Sequence, residues 1–229
     1  MNSTQQDIPF VGLHAHSTFS VFDGFGFPSE HMDRAHAHGM DALALTDHGN
    51  MNGLSYQILH AQKMKEEGKN FKPIFGIEAY FIPSIADWRE QYEEAKLDKK
   101  RSKTLEKEGS SGAIVNLEEA GKVDKKSLNR RRHLVLLAAS QKGLENLYTM
   151  ISKSYSDDNF YRYPRMDFDL LRKHSEGVVC LTACMSGVLA GAYWQSREDG
   201  PEAVLASMRE LAAEFKDIFG DRFYGELQW

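Results

Sequence analysis

Alternation of strand and helix along the chain predicts an α/β protein with a parallel sheet and helices outside it. Three observations carry this. Short apolar runs such as "ALALTD", "RHLVLLAAS" and "GVVCLTAC" recur, helical periodicity fills the stretches between them, and no strand reads as an edge strand. Six strands without an edge suggest an unfinished barrel rather than an open sheet. In such barrels the chemistry sits at the C-terminal ends of the strands.

The elements follow in order. "FVGLHAH" (10–16) is a short strand. "PSEHMDRAHAHGM" is a helix that Pro28 and Ser29 start and Gly39 stops. "ALALTD" (42–47) is a buried strand, and "LSYQILHAQKMKEEG" is a helix ending at Gly68. "KPIFGIEAYFI" (72–82) is the third strand and "RHLVLLAAS" the fourth, followed by the helix "LENLYTMISKSY". "GVVCLTAC" is the fifth strand, with a short helix from Ser186 after it. In 201–219, Val204, Met208, Leu211, Phe215 and Ile218 repeat at steps of four and three, the mark of an amphipathic helix. "FYGELQW" is a sixth strand. One segment breaks the rhythm. Residues 84–132 are dominated by Lys, Arg, Glu and Asp, too long a stretch for an ordinary connection. It reads as a solvated insertion, helical around "DWREQYEEAKLDKKRSKTLEKEG". Its "NRRRH" end is the most basic spot and could meet a phosphate backbone.

The 229 residues, 41% apolar and 27% charged, suit an ordinary globular protein with a sizeable core. A net charge of -5 argues against a basic nucleic-acid clamp, though not against a nucleic-acid substrate met at a local site. The opening "MNSTQQDIPF" lacks the features of a signal peptide, and no apolar run approaches the roughly 20 residues that span a bilayer, so the cytosol is the expected compartment and no membrane partner is expected. Cys180 and Cys184 share a strand parity, with Cys184 at the strand's end. Their α-carbons would lie about 13 Å apart, beyond the ~7 Å limit of a disulfide.

The strand ends carry the unusual residues. In "GLHAHSTFSVFDG", alternate side chains of an extended segment share a face, so His14 and His16 converge, with Asp23 in the loop beyond. "LTDHGN" supplies Asp47 and His48, "GIEAY" supplies Glu78, the fourth strand opens with His133, and the fifth ends in Cys184. Taken singly, each is better explained by packing or a surface turn than by ligation. Even with Asp47 set aside, seven residues of metal-competent types on five strands are hard to explain as packing, because unpaired polar groups are costly to bury. His31, His36, His38, His60 and His174 fall on helical segments and suggest no chemistry.

"HAHSTFSVFDG", "LTDHGN", "KPIFGIEAY", "RHLVLLA" and "CLTACMSG" together resemble the PHP (polymerase and histidinol phosphatase) domain. More narrowly they are similar to the N-terminal PHP domain of bacterial-type C-family DNA polymerases, the replicative DNA polymerase III alpha group. "NFYRYPRMD" resembles the polymerase branch's Phe-Tyr-x-x-Pro-Arg segment, and Cys184 stands where free-standing phosphatases usually have histidine. The resemblance implies a distorted (β/α)7 barrel holding up to three zinc or manganese ions. By it, His14, His16 and Glu78 hold one ion; Glu78, His133 and Cys184 a second; Asp23 and His48 a third. Asp47 orients a ligand. Two further ligands are implied in an Asp-x-His motif on a seventh strand. No such motif follows Glu226, and no palm domain is present, so the domain, 1–229, is expected to lack its last strand, as a truncated product or half of a split gene.

The implied activity is metal-assisted phosphodiester hydrolysis of the 3′–5′ exonuclease or proofreading type. The implied partners are DNA, a downstream polymerase fragment with its palm, and a proofreading or clamp subunit. The alternatives are a structural metal-bound scaffold without catalysis and a free-standing PHP phosphatase.

Overall fold

The computed structural model describes residues 10–107 and 128–228. The strands are β1 (Ala42–Leu45), β2 (Lys72–Phe81), β3 (Arg132–Ala138), β4 (Arg165–Met166), β5 (Val178–Leu181) and β6 (Phe223–Tyr224). The helices are α1 (Pro28–Ala37), α2 (Leu54–Glu66), α3 (Ile85–Lys107), α4 (Gln141–Ser154), α5 (Phe168–His174), α6 (Val188–Ser196) and α7 (Pro201–Phe219). Several helix starts are chemical as well as periodic. The Ser140 side chain accepts from the Gly143 amide, and Asp167 from the Leu170 amide, each satisfying a helix donor that has no intrahelical partner.

The six strands form one sheet in the order β1-β2-β3-β5-β6, with β4 pairing β2 beside this path. The expectation of a parallel sheet is corrected at β3, which runs antiparallel to both β2 and β5; the other pairings are parallel. A parallel crossover needs a helix lying on the sheet. After Tyr92, α3 is a run of charged residues with few apolar ones, and it does not serve as that helix. The chain therefore re-enters the sheet at the rim where β2 leaves it. The expected first strand, 10–16, is also not regular. It meets β1 through the single bridge Gly12–Leu43, with Ala44 and Thr46 amides donating to the Gly12 and Ala15 carbonyls. Among the described residues no backbone pairing joins 10–16 to β6.

Both faces of the central strands are covered. Ile77, Ala79, Phe81, Leu134 and Leu136 pack against Leu147 and Met150 of α4 and Phe215 of α7. Val135 and Leu137 face the other way, toward Ala44 and Leu181. A third cluster, Met32, Leu43, Leu45, Met64 and Phe71, seats α1 and α2 on β1. The two ends of the charged stretch are less solvated than its composition predicts. Ile85 and Leu128 are buried, and Trp88 stacks on Tyr92 and donates its indole N–H to the Leu128 carbonyl. Residues 108–127, the middle of that stretch, lie outside the described residues. Among the described residues no helix is long and apolar enough to cross a membrane.

Candidate metal centre

The centre is assembled by strand direction. Glu78 lies opposite Val135, and Tyr80 opposite His133, across the β2–β3 ladder. Side chains of one parity share a face, so Glu78, Tyr80 and His133 share the face turned away from Ile77 and Ala79. Because β3 is antiparallel, His133 at its beginning stands at the rim where the other strands end. A short parallel bridge sets His48 beside Glu78, with the Gly49 amide donating to the Glu78 carbonyl. Cys184 lies outside β5, beyond a left-handed residue, Ala183 (φ 58°). That turn corrects the shared parity expected of the two cysteines. Cys180 is buried in the main core, Cys184 is half-buried at the rim, and both are free thiols.

Glu78 is the hub and is 1% exposed. Its Oε2 lies 3.2 Å from His14 Nε2, 2.9 Å from His16 Nε2 and 3.2 Å from His48 Nδ1. Its Oε1 lies 2.9 Å from His133 Nδ1 and 3.8 Å from Cys184 Sγ, which is itself 3.6 Å from His133 Nδ1. Asp23 Oδ2 reaches His48 Nε2 at 2.9 Å and His16 Nε2 at 4.0 Å. Three groups have ligand atoms close enough to share an ion: His14–His16–Glu78, His16–Asp23–His48 and His48–Glu78–His133. The structure thus brings together all seven candidate residues, with His48 facing both Asp23 and Glu78.

Two hydrogen-bond chains fix ring tautomers. Asp47, 3% exposed, accepts from the Ser17 amide, the Ser17 hydroxyl and the Ser20 hydroxyl. Ser20 Oγ in turn accepts from His16 Nδ1 at 2.8 Å and from the His48 amide. His14 Nδ1 donates to Glu226 Oε1 at 2.7 Å, and Gln228 donates to the same oxygen. Both rings therefore keep a proton on Nδ1 and turn Nε2 toward Glu78, the arrangement in which an outer hydrogen bond orients a metal-binding imidazole. Nδ1 of His48 is buried and, despite its nearness to Glu78, lacks hydrogen-bond geometry to it. A buried imidazole nitrogen without a bond, aimed at a carboxylate, suits a cation between them.

Electrostatics follow from this crowding. Burial pushes the Glu78 carboxyl up, but bonds from His133, His14 and His16 outweigh it and hold the group well below the carboxylate range. Burial disfavours charge on His14, yet Glu226 and Glu78 raise its pKa to about 10. His133 is raised to about 9: burial opposes the shift, and Cys184 and Glu78 drive it. His48 is lowered, chiefly by burial. Cys184 is lowered, chiefly by its contact with His133.

Sequence reasoning missed Ser17, Ser20 and Glu226. Both serines follow His16 within four residues, in the segment already singled out. Glu226 is an acid just past an apolar strand, the same signal that revealed Glu78. Of the histidines given no chemistry, His31 accepts a structural task, bonding the Phe25 carbonyl at 2.6 Å in the loop that carries Asp23. Gly24 in that loop has no room for a side chain, since a Cβ would lie 1.7 Å from the Ser17 carbonyl oxygen.

A buried carboxylate ringed by imidazoles and a thiol, at one rim of a mixed α/β sheet, defines a candidate centre for several cations. The chain belongs to the PHP domain family, which it matches over residues 12–229. It is 36% identical over 219 residues to the DNA polymerase III subunit alpha of Aquifex aeolicus and 35% identical over 223 residues to that of Borreliella burgdorferi. Each match covers 96% of this chain but 15% of the relative, so the chain spans less than a sixth of those subunits. Among solved structures, an amidohydrolase from Chromobacterium violaceum matches 94% of this chain and 84% of its own, at 13% identity and a TM-score of 0.40.

Proposed function

We propose that this domain is a metal-dependent phosphoesterase that cleaves phosphodiester bonds from a 3′ end of DNA, as a proofreading exonuclease does, in the setting of a cytoplasmic replicative polymerase of the polymerase III alpha type. The observation that carries the reading is Glu78, buried, with four imidazole nitrogens within 3.2 Å of its two oxygens. A carboxylate so placed can be shared between cations. His14, His16 and Glu78 would hold one ion, Glu78, His133 and Cys184 a second, and Asp23 with His48 a third; zinc or manganese suits this nitrogen, oxygen and sulfur set. Bound there, such ions supply an activated water and neutralise charge on the phosphate.

The chain's own residues prepare the site. Ser20 and Glu226 hold the Nδ1 protons of His16 and His14, so Nε2 of each ring faces inward, where a bound cation would take the place of its proton. Asp47 anchors Ser20 and the Ser17 turn, acting on His16 through them. Glu78 stays ionised under its histidine bonds. Tyr80 stacks on His48 at 5.6 Å and limits the motion of that ring. The polymerase setting draws its support from the relatives' identity as polymerase subunits, and DNA, the remaining polymerase and a proofreading or clamp subunit are the partners that go with it.

The test is metal content and hydrolysis measured together on the purified chain, with a 3′-labelled single-stranded oligodeoxynucleotide and added manganese or zinc. The expected result is more than one equivalent of metal per chain and metal-dependent release of 3′ nucleotides. Glu78→Gln should lose more than one equivalent and fall to the metal-free rate. Full metal content in Glu78→Gln would overturn the sharing role. A metal-loaded chain that leaves the DNA intact would favour a structural centre instead.

A further inference from the structure

The "NRRRH" motif ends at the metal rim. Arg131 is half-buried there, with its guanidinium carbon 3.5 Å from the Tyr163 ring and 5.2 Å from the Tyr80 ring. Tyr80 lies parallel to His48 at 5.6 Å and edge-on to His133 at 5.5 Å. One aromatic ring therefore separates Arg131 from two imidazoles of the metal centre. The same arginine borders a cavity of about 480 Å³ shared with Arg130, Arg132 and Trp88; the cavity's acids, Asp87, Glu210 and Glu214, belong to α3 and α7.

Among the described residues, no acid, those of the cavity included, lies within ion-pair distance of these arginines. Among the described residues, arginine ion pairs are made by Arg89, Arg172 and Arg197, whereas Arg130, Arg131, Arg132 and Arg162 make none. Arg131 Nη1 donates only to the Asn129 carbonyl, at 3.3 Å, and its Nε is buried without a partner. Arg130 and Arg162 are exposed, and Arg162 holds a left-handed backbone (φ 61°) in the segment that carries Tyr163. A guanidinium seated over an aromatic ring can keep N–H groups available, and its planar fork matches two oxygens of a phosphate. In a chain of net charge -5, a cluster of arginines held out of ion pairs beside the proposed centre favours anions there.

The geometry points to a second phosphate subsite: Arg131, seated on Tyr163 and flanked by Tyr80, binds the phosphate next to the scissile one on a single-stranded DNA end, and Arg130 and Arg162 line the strand's exit. This inference rests on the hydrolytic reading of the metal rim. It adds a substrate requirement, since two phosphate sites side by side favour a strand of at least two nucleotides over a phosphomonoester. Contacts to phosphate position a strand without reading its bases, so the subsite suits an enzyme indifferent to sequence.

The experiment measures binding of the manganese-loaded 229-residue chain to a fluorescent 12-mer with phosphorothioate 3′ linkages, by anisotropy at several salt concentrations. Arg131→Gln should weaken binding about tenfold and lower the slope of log K against log salt by about 0.7, one phosphate contact on a single strand. Arg131→Lys should keep that slope and lose part of the affinity, because an ammonium cannot present the planar fork. Arg209→Gln, on the exposed side of α7, should bind as wild type. Metal content and thermal midpoint of the Arg131 variants should match wild type. A 5′-mononucleotide should compete no better against wild type than against Arg131→Gln.

Binding by Arg131→Gln within twofold of wild type, or no binding by wild type, would overturn the subsite. Loss of binding in Arg131→Gln with no hydrolysis by wild type would leave the subsite standing and remove the hydrolytic reading. Hydrolysis with unchanged binding would do the reverse. Equal dependence on Arg131 for an oligoribonucleotide would show that the subsite ignores the sugar, whereas dependence for RNA alone would overturn the DNA assignment.

Discussion

Asp47 touches no predicted ligand side chain, yet its position controls one. Its carboxylate holds Ser20, and Ser20 holds the Nδ1 proton of His16. Removing such an outer hydrogen bond typically costs 10- to 100-fold in metal affinity. Ser20→Ala is therefore expected to weaken manganese or zinc binding by about that factor at unchanged fold, as read by competition with a chromogenic chelator. Glu226→Gln should act similarly through His14, and unchanged affinity in both variants would assign these bonds to packing alone. The shifted ionisations of the site predict a pH dependence as well. His14 and His133 have folded-state values of about 10 and about 9, above the ordinary 6.5. Their contribution to the metal-free fold is full below pH 6.5 and is lost as pH rises through 9 to 10. Glu78, held low, contributes above the ordinary carboxylate value and loses that contribution in acid. Cations compete with the histidine protons, so affinity should rise from pH 6.5 to 9 while the metal-free chain grows less stable. Thermal midpoints with and without metal should accordingly diverge over that range, and a constant gap would contradict the protonation scheme.

At the scale of elements, most of the longer strands and helices were legible in the sequence because apolar runs and helical steps record burial directly, whereas the short β4 and the bounds of α5 were not, and 10–16 reads as a strand but forms a single bridge. "RHLVLLA" reads as a strand covered on both faces, and the alternating partners of Leu134 and Val135 show why. Strand direction was not legible. An apolar run looks the same in either direction, and only the failure of α3 to lie on the sheet reveals that β3 turns back. The gathering of the seven candidate residues was legible because His, Asp, Glu and Cys at strand ends conflict with packing; the contacts of Ser20 and Glu226 were not, since they exist only through side chains distant in sequence. Composition misled for the start of α3. Among charged neighbours, Trp88 lies 3.7 Å from the Arg165 guanidinium and 4.9 Å from the Tyr161 ring. Arg165 is buried, and burial lowers its pKa to about 10, so the indole face serves as its main cover. Trp88→Ala should destabilise the chain by about 2–3 kcal/mol in denaturant unfolding, from lost apolar burial and an exposed cation–π contact. Trp88→Phe should recover most of that, and an effect below about 0.5 kcal/mol would return this part of the stretch to the solvated class.

At the scale of the whole molecule, the metal rim joins parts that backbone pairing leaves apart. His14 belongs to the segment before β1, and Glu226 follows β6, at opposite ends of the strand order. Their 2.7 Å contact, with Gln228 beside it, spans the sheet from one end to the other. A cation held by His14, His16 and Glu78 would tie the first of these segments to β2, and Glu226 would tie the second to His14. Metal binding should then act as a clasp with a global readout. At a free metal concentration about 100 times Kd, linkage adds about 2.7 kcal/mol, which for a chain of this size raises Tm by about 5–11 °C. Chelation should reverse the shift, and His14→Ala should abolish most of it. Hydrogen exchange gives the location. On chelation, amides of 10–16 and 223–228 should lose protection, while those of β2 and β3, bonded along a six-residue ladder between buried faces, should keep theirs. A chelator effect spread evenly over β2 and β3, or no change at the two ends, would show that the rim stabilises the core without joining the ends of the sheet.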